Sequence, residues 1–312
     1  MRWLLSNTVR EALKDYENGL TTGSLLNLLQ AALNRPLPHE RKRELPSFAP
    51  QDPIINLMAE SSRAPHASAF LTARPLPQIT MSNSEFRDAL WIRLGLPAPP
   101  GHCVPAPAND RMGFHRLGCR NSAGYRIRRD DDLLSVIAST ALTADAGAFQ
   151  IAREEKLPEA EGSRSRPGDV ALNLGSGRLL VDVTVASPFT AAGHLSTRLA
   201  GLPDAAAESA YDGKLAKWHR IIFVLQLNIE DFASTFQPLA VTSLGVWEKC
   251  SMLWLRRSSD VCATASSVDQ GTALSHLMAR FSVALWKGNS RMLRDLHEIE
   301  CPAPDPASDT ED

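Results

Sequence analysis

The sequence predicts an α+β or α/β fold, and three observations point to it. Residues 166–188 read as two short strands, about 169–174 and 178–186, joined by a Gly-Ser-Gly turn. Stretches with apolar residues at three- and four-residue spacing stand on both sides of that hairpin, as amphipathic helices require. Further short apolar runs, Ile221–Leu227 and Phe236 onward, suit buried strands placed between helices. At 312 residues and 44% hydrophobic content the chain is long enough for a packed core, with room for two modest domains.

The formal charge of −2 gives no overall attraction to nucleic acid, so any such surface must be local. Five cysteines at irregular spacing argue against a secreted disulfide framework. No run of about 18 apolar residues exists, which excludes a membrane-spanning helix as an expectation. The apolar part of the N-terminal Met-Arg-Trp-Leu-Leu-Ser-Asn is too short for a signal peptide, and the expected setting is intracellular.

In chain order, residues 1–34 carry leucine stripes for two amphipathic helices broken at 19–23. Residues 35–66 form a Pro-rich linker with a short helix over 53–62; five of the 21 prolines fall within 35–54. Residues 67–129 begin with a loop and a helix. Ser82 or Ser84 caps it, Phe86, Leu90 and Leu94 form its stripe, and Gly95 with Pro97 ends it. A Gly/Pro-rich loop follows with His102, Cys103, His115 and Cys119, residue types that bind Zn²⁺ when a fold gathers them. Arg111, Arg116, Arg120, Arg126, Arg128 and Arg129 come next without an intervening acid, interleaved with Phe114 and Tyr125. That composition suits phosphate contact and base stacking, and equally a solvated loop.

Residues 130–257 make the core. Asp130–Asp132 read as the N-cap of a helix over 131–146, and Phe149–Glu154 as a strand followed by a polar loop. The hairpin comes next, then a helix over 204–219, two buried strands and a helix over 246–257. Residues 258–300 hold the last helices, and 301–312, Pro-rich and acidic, read as a disordered tail.

The chemistry concentrates in the hairpin. Valines 181, 183 and 185 share one face of the second strand, and Leu180, Asp182 and Thr184 the other. Aspartate is depleted inside strands, so Asp182 within Leu-Leu-Val-Asp-Val-Thr-Val needs a partner. Asp169 stands at the start of the first strand, after Pro167-Gly168, and the two carboxylates could converge on one Mg²⁺. The plainer alternative is a polar edge strand whose Asp182 binds an arginine or a turn amide.

Pro-Gly-Asp, a turn, then Val-Asp-Val-Thr resembles the PD-(D/E)XK nuclease core in the form carried by the restriction-like endonuclease domains of LINE-type non-LTR retrotransposons. Three further phrases are similar to that family in the same order: Phe86 to Pro97, Lys214 to Trp218, and Phe236 to Gly245. The resemblance covers about residues 60–295. It implies a mixed sheet flanked by helices over 130–257, preceded by a helical linker region. Residues 1–34 would then be a helical remnant after a lost polymerase domain, and no polymerase site is present.

The resemblance further implies a metal-dependent DNA endonuclease using Mg²⁺ or Mn²⁺, with Asp169 and Asp182 as metal ligands. Glu154 would be the acid before the hairpin, and Lys217 or Lys214 the catalytic lysine, with Lys217 preferred. It suggests Zn²⁺ at Cys103, His115 and Cys119, and nucleic-acid contact at Arg126, Arg128 and Arg129. DNA is the implied partner, the RNA of the parent element a second one, and the nucleus the place of action; no membrane is involved. The chain departs from the family pattern at Pro105, where a knuckle cysteine is usual, and at Arg129-Asp130, where a His-Asn pair is usual. Thr184 holds the common lysine position. The alternative is a catalytically inactive relic that at most binds nucleic acid.

Overall fold

The computed structural model describes residues 53–73, 79–93, 113–118, 122–144, 150–153, 169–174, 177–190, 195–196, 202–224 and 236–295. All of them belong to one compact unit, Pro53–Asp312. The expectations for residues 1–52 and 301–312, for the turn at 175–176, and for Gly95 and Pro97 lie outside the described residues.

A mixed α+β architecture results. The helices are α1 (Pro53–Arg63), α2 (Asn83–Arg93), the short α3 (Phe114–Gly118), α4 (Ala123–Ala144), α5 (Ala205–Val224), α6 (Lys249–Ser266) and α7 (Gln270–Asp295). The strands β1 (Gln150–Arg153), β2 (Val170–Leu174), β3 (Gly177–Ala186) and β4 (Phe236–Thr242) form one sheet in the order β1-β2-β3-β4. The first three are antiparallel neighbours, while β4 runs parallel to β3 after the α5 crossover.

Strand alternation divides the core in two. On one face Val170, Leu172, Val181, Val183, Leu239 and Val241 pack against Leu133 and Ile137 of α4, Leu255 of α6, and Leu277, Met278 and Phe281 of α7. On the other, Ala171, Leu180 and Phe236 lie under Trp218 and Ile222 of α5, with the Trp218 and Phe236 rings stacked at 4.9 Å. The boundary expected at 257/258 falls inside α6, and α7 feeds the same core as the sheet.

Ser82 rather than Ser84 caps α2: its hydroxyl accepts the Glu85 N–H at 3.2 Å and its own N–H donates to Glu85 Oε2 at 2.8 Å. α7 then ties the far parts of the chain together. Ser290 Oγ donates to the buried Asp88 of α2 at 2.6 Å, and Asn289 Nδ2 donates to the Ser243 carbonyl at 2.8 Å. The Arg116 guanidinium donates to the Leu293 carbonyl at 2.5 Å.

Two sequence expectations are corrected. The helix expected at 131–146 begins at Ala123, so Asp130–Asp132 lie within it and do not cap it. The buried row Arg129, Leu133, Val136 and Ile137 continues with helical spacing through the arginines, and no residue after Gly124 breaks it. Residues 221–224, expected to start a strand, extend α5. Ile222 follows Trp218 by four residues and completes its buried stripe, and packing overrides the strand preference of isoleucine.

The outer edge of β4 is closed by the turn and helix that follow. Pro238 has no N–H, and its carbonyl accepts the Gln237 side chain at 2.7 Å. The Ala240 N–H donates to Ser251 Oγ at 3.0 Å, and the Ala240 carbonyl accepts the Glu248 N–H at 3.0 Å. The Thr242 N–H donates to the Val246 carbonyl at 2.8 Å across a turn where Gly245 takes φ +85°. Among the described residues no helix is long and apolar enough to cross a membrane.

Candidate functional site

The site grows from the β2–β3 register. Val170 pairs with Val181, so Asp169, one residue earlier, is level with Asp182. Asp169 is anchored there: its N–H donates to the Val181 carbonyl at 3.0 Å, and its Oδ2 accepts the Val183 N–H at 3.0 Å. Asp182 points to the α5 side of the sheet with Leu180 and is 5% exposed. Its carboxylate accepts two bonds from Lys214 Nζ, at 2.7 and 2.9 Å.

Burial, then the neighbouring Asp182 charge, push the Asp169 carboxyl from its ordinary 3.8 up to about 6. The Val183 N–H and the Lys214 charge pull it partly back. Two carboxylates that repel in a half-dry recess, both offering hard oxygen atoms, suit a divalent cation such as Mg²⁺ or Mn²⁺. Such an ion would be held by Asp169 and Asp182.

α5 brings Lys214 to the acids because Tyr211, Lys214, Leu215 and Trp218 lie on neighbouring rows of the helix that face the sheet. Lys217, the lysine preferred from sequence, is exposed and makes no ion pair with the described residues; the geometry favours Lys214. Tyr211, one turn before Lys214, lies beside Gln237 and Cys250, and burial pushes its hydroxyl up. Glu154 lies outside the described residues.

Arg129 does not fit its expected nucleic-acid role. It is 2% exposed, donates to Asn289 Oδ1 at 3.1 Å, and fills the space over Gly288, where a Cβ would come within 2.4 Å of its Cγ. Arg129 is a pin between α4 and α7. Arg126 is half-buried, and its Nε is buried without a hydrogen-bond partner. Arg128 is exposed, with its guanidinium 6.0 Å from the Tyr125 ring centre. Asp130, read from sequence as a cap, lies inside α4 with its Oδ1 3.4 Å from Arg129 Nε; burial pushes its carboxyl up, while the Arg129 charge pulls it partly back.

The zinc expectation divides. His115 is buried in α3, whereas Cys103 and Cys119 lie outside the described residues. Among the described residues no three His, Cys, Asp or Glu side chains cluster, so the paired acids stand as two. Compared with known proteins, the chain matches no family model, no curated protein and no solved structure. The site's own chemistry therefore carries the functional reading.

Proposed function

We propose that this chain is the metal-dependent DNA endonuclease region of a retrotransposon-derived protein, with a PD-(D/E)XK core that hydrolyses phosphodiesters and nicks target DNA. The observation that carries the reading is the convergence of Asp169, Asp182 and Lys214 on the α5 side of the sheet. The order of parts supports it: α4, β1, the acid-bearing β2–β3 hairpin, the crossover α5, and β4 parallel to β3. The four phrases noted in the sequence support it in the same order. Action in the nucleus, on DNA and with the RNA of a parent element, belongs to the same proposal.

A bound Mg²⁺ or Mn²⁺ would supply charge neutralisation at the phosphate and a water of lowered pKa. Asp169 and Asp182 hold the negative oxygen atoms that keep such a charge in place. Lys214 takes the role expected of the lysine missing at Thr184: its ammonium, already held against Asp182, is a fixed positive charge where the scissile phosphate would come. Arg126, with an unsatisfied Nε close to Asp130, and the exposed Arg128 offer phosphate contacts at the rim.

The test is nicking of supercoiled plasmid by the purified chain with Mg²⁺ or Mn²⁺ and its absence with EDTA. Asp182→Ala should abolish cutting while circular dichroism stays unchanged. Equal nicking by both proteins sinks the assignment. A second reading, an inactive relic that binds nucleic acid at most, is favoured by Thr184 at the lysine position and by Arg129 lying inside the core. It prevails if the folded wild type shifts DNA in a gel and never cuts it.

A further inference from the structure

On the face of the sheet opposite the acids, two adjoining cavities differ in chemistry. The first, about 210 Å³, lies between α4, α6, α7 and the hairpin and is walled by Leu172, Leu179, Trp254, Leu277 and Phe281. The second, about 440 Å³, runs between α4, α6 and α7 and contains Ser139, Thr140, Cys262, Ser266, His276 and Arg280. Thr140, Cys262 and Leu277 line both, so the apolar chamber opens beside the polar one.

Arg280 is the unusual group. Its guanidinium donates to Thr140 Oγ1 at 3.2 Å and to Ser139 Oγ, both hydroxyls of the last turns of α4. Those hydroxyls already donate to α4 carbonyls: Thr140 Oγ1 to Val136 at 2.7 Å, and Ser139 Oγ to Ser135 at 2.7 Å. They can accept from Arg280 and offer it no negative charge. Among the described residues no carboxylate forms an ion pair with Arg280, and burial lowers its proton affinity. Asp269, which caps α7 by accepting the Thr272 N–H at 3.0 Å, forms no ion pair with Arg280 either. A guanidinium has five N–H donors in a fixed fork, so about three remain for a ligand. A half-buried cation paired only with hydroxyls is poorly compensated, and an oxyanion is the partner that would correct this.

We propose that these joined cavities bind a small amphipathic anion. Its carboxylate or phosphate group lies on Arg280 and His276, and its apolar body fills the chamber beneath Trp254. An apolar cavity of about 150 Å³ suffices for a benzene ring, so the apolar chamber of about 210 Å³ accommodates an aromatic ring or a short alkyl chain. The site is independent of the acid pair, which faces α5 across the sheet.

The experiment is calorimetric titration of the full chain with 4-phenylbutyrate, with neutral 4-phenylbutanol and inorganic phosphate as separate arms. A ligand of this size is expected to bind with a dissociation constant of about 1 mM. The alcohol and phosphate should each bind about tenfold more weakly, since each lacks one half of the recognition. Arg280→Met should weaken phenylbutyrate by about tenfold and leave the alcohol unchanged. Equal affinity for acid and alcohol overturns the proposal, as does unaltered phenylbutyrate binding by folded Arg280→Met. If that variant does not fold, the acid–alcohol–phosphate comparison on the wild type decides alone. Absence of saturable phenylbutyrate binding to the wild type also overturns it, whatever the plasmid assay shows.

Discussion

Replacing Asp169 with Asn should stabilise the folded protein at neutral pH and leave it nearly unchanged in acid. In the fold, burial and the Asp182 charge push this carboxyl from 3.8 up to about 6, so the folded chain holds its proton more tightly than the unfolded chain does. The sign follows: stability is greatest below the unfolded value of 3.8, falls as pH rises toward about 6, and stays lowered above that. At full weight the gap between 3.8 and about 6 corresponds to roughly 3 kcal/mol. Partial exposure discounts it, so the expected gain for Asp169→Asn at about pH 7.5 is about 1–2 kcal/mol. Asparagine keeps an oxygen for the Val183 N–H, held at 3.0 Å, and leaves the Lys214–Asp182 pair in place. Urea denaturation without divalent cations, at about pH 7.5 and about pH 3, measures it. A loss of stability at the higher pH, or an equal gain at both, would refute repulsion as the cause.

Lys214→Ala should lower the single-turnover cleavage rate by about 10²-fold, while Lys217→Ala changes mainly DNA affinity; the reverse order would return the role to Lys217. Arg126→Ala with Arg128→Ala should reduce the log–log salt slope of DNA binding by about two, and an unchanged slope would move the binding face elsewhere. Glu248→Ala should cost about 1–2 kcal/mol in urea denaturation. Its carboxylate accepts the N–H groups of Cys250 and Ser251 at 2.6 and 2.7 Å, plus Ser251 Oγ at 2.9 Å. Gly288→Ala sets a helix-propensity gain of about 1 kcal/mol against overpacking of about 2–3 kcal/mol. A net loss is expected because Arg129, pinned at 3.1 Å to Asn289, cannot swing away from the new methyl.

The hairpin was legible because its alternation is strict: a single Asp between valines 181 and 183 fixes both the face and the register that bring Asp169 level with it. The α2 cap was legible down to two serines, Ser82 or Ser84, and the reciprocal bonds between Ser82 and Glu85 select Ser82. What sequence could not decide was rotation about a helix axis. Lys214 and Lys217 differ by less than one turn, and only the buried positions of Trp218 and Ile222 select which one meets Asp182. Arg129 was illegible for a different reason. A guanidinium reads as a surface group until a distant glycine, Gly288, and an amide, Asn289, provide a socket for it. The helix start at Ala123 was missed because three consecutive aspartates make an attractive cap signal, although here Asp132 pairs with Arg291 at 2.8 Å from inside the helix.

The closure of the β4 edge withdraws one side of the sheet from growth. Ordinary edge strands present a ladder of free amides and carbonyls to which another chain can add. Along β4 that ladder is taken up by Gln237, Ser251, Glu248 and Val246, with Pro238 supplying no donor at all. A strand arriving from a partner, from a second copy or from a misfolded neighbour would therefore find no template there. Augmentation of the sheet along β4, whether useful or harmful, is blocked by the chain's own turn and helix.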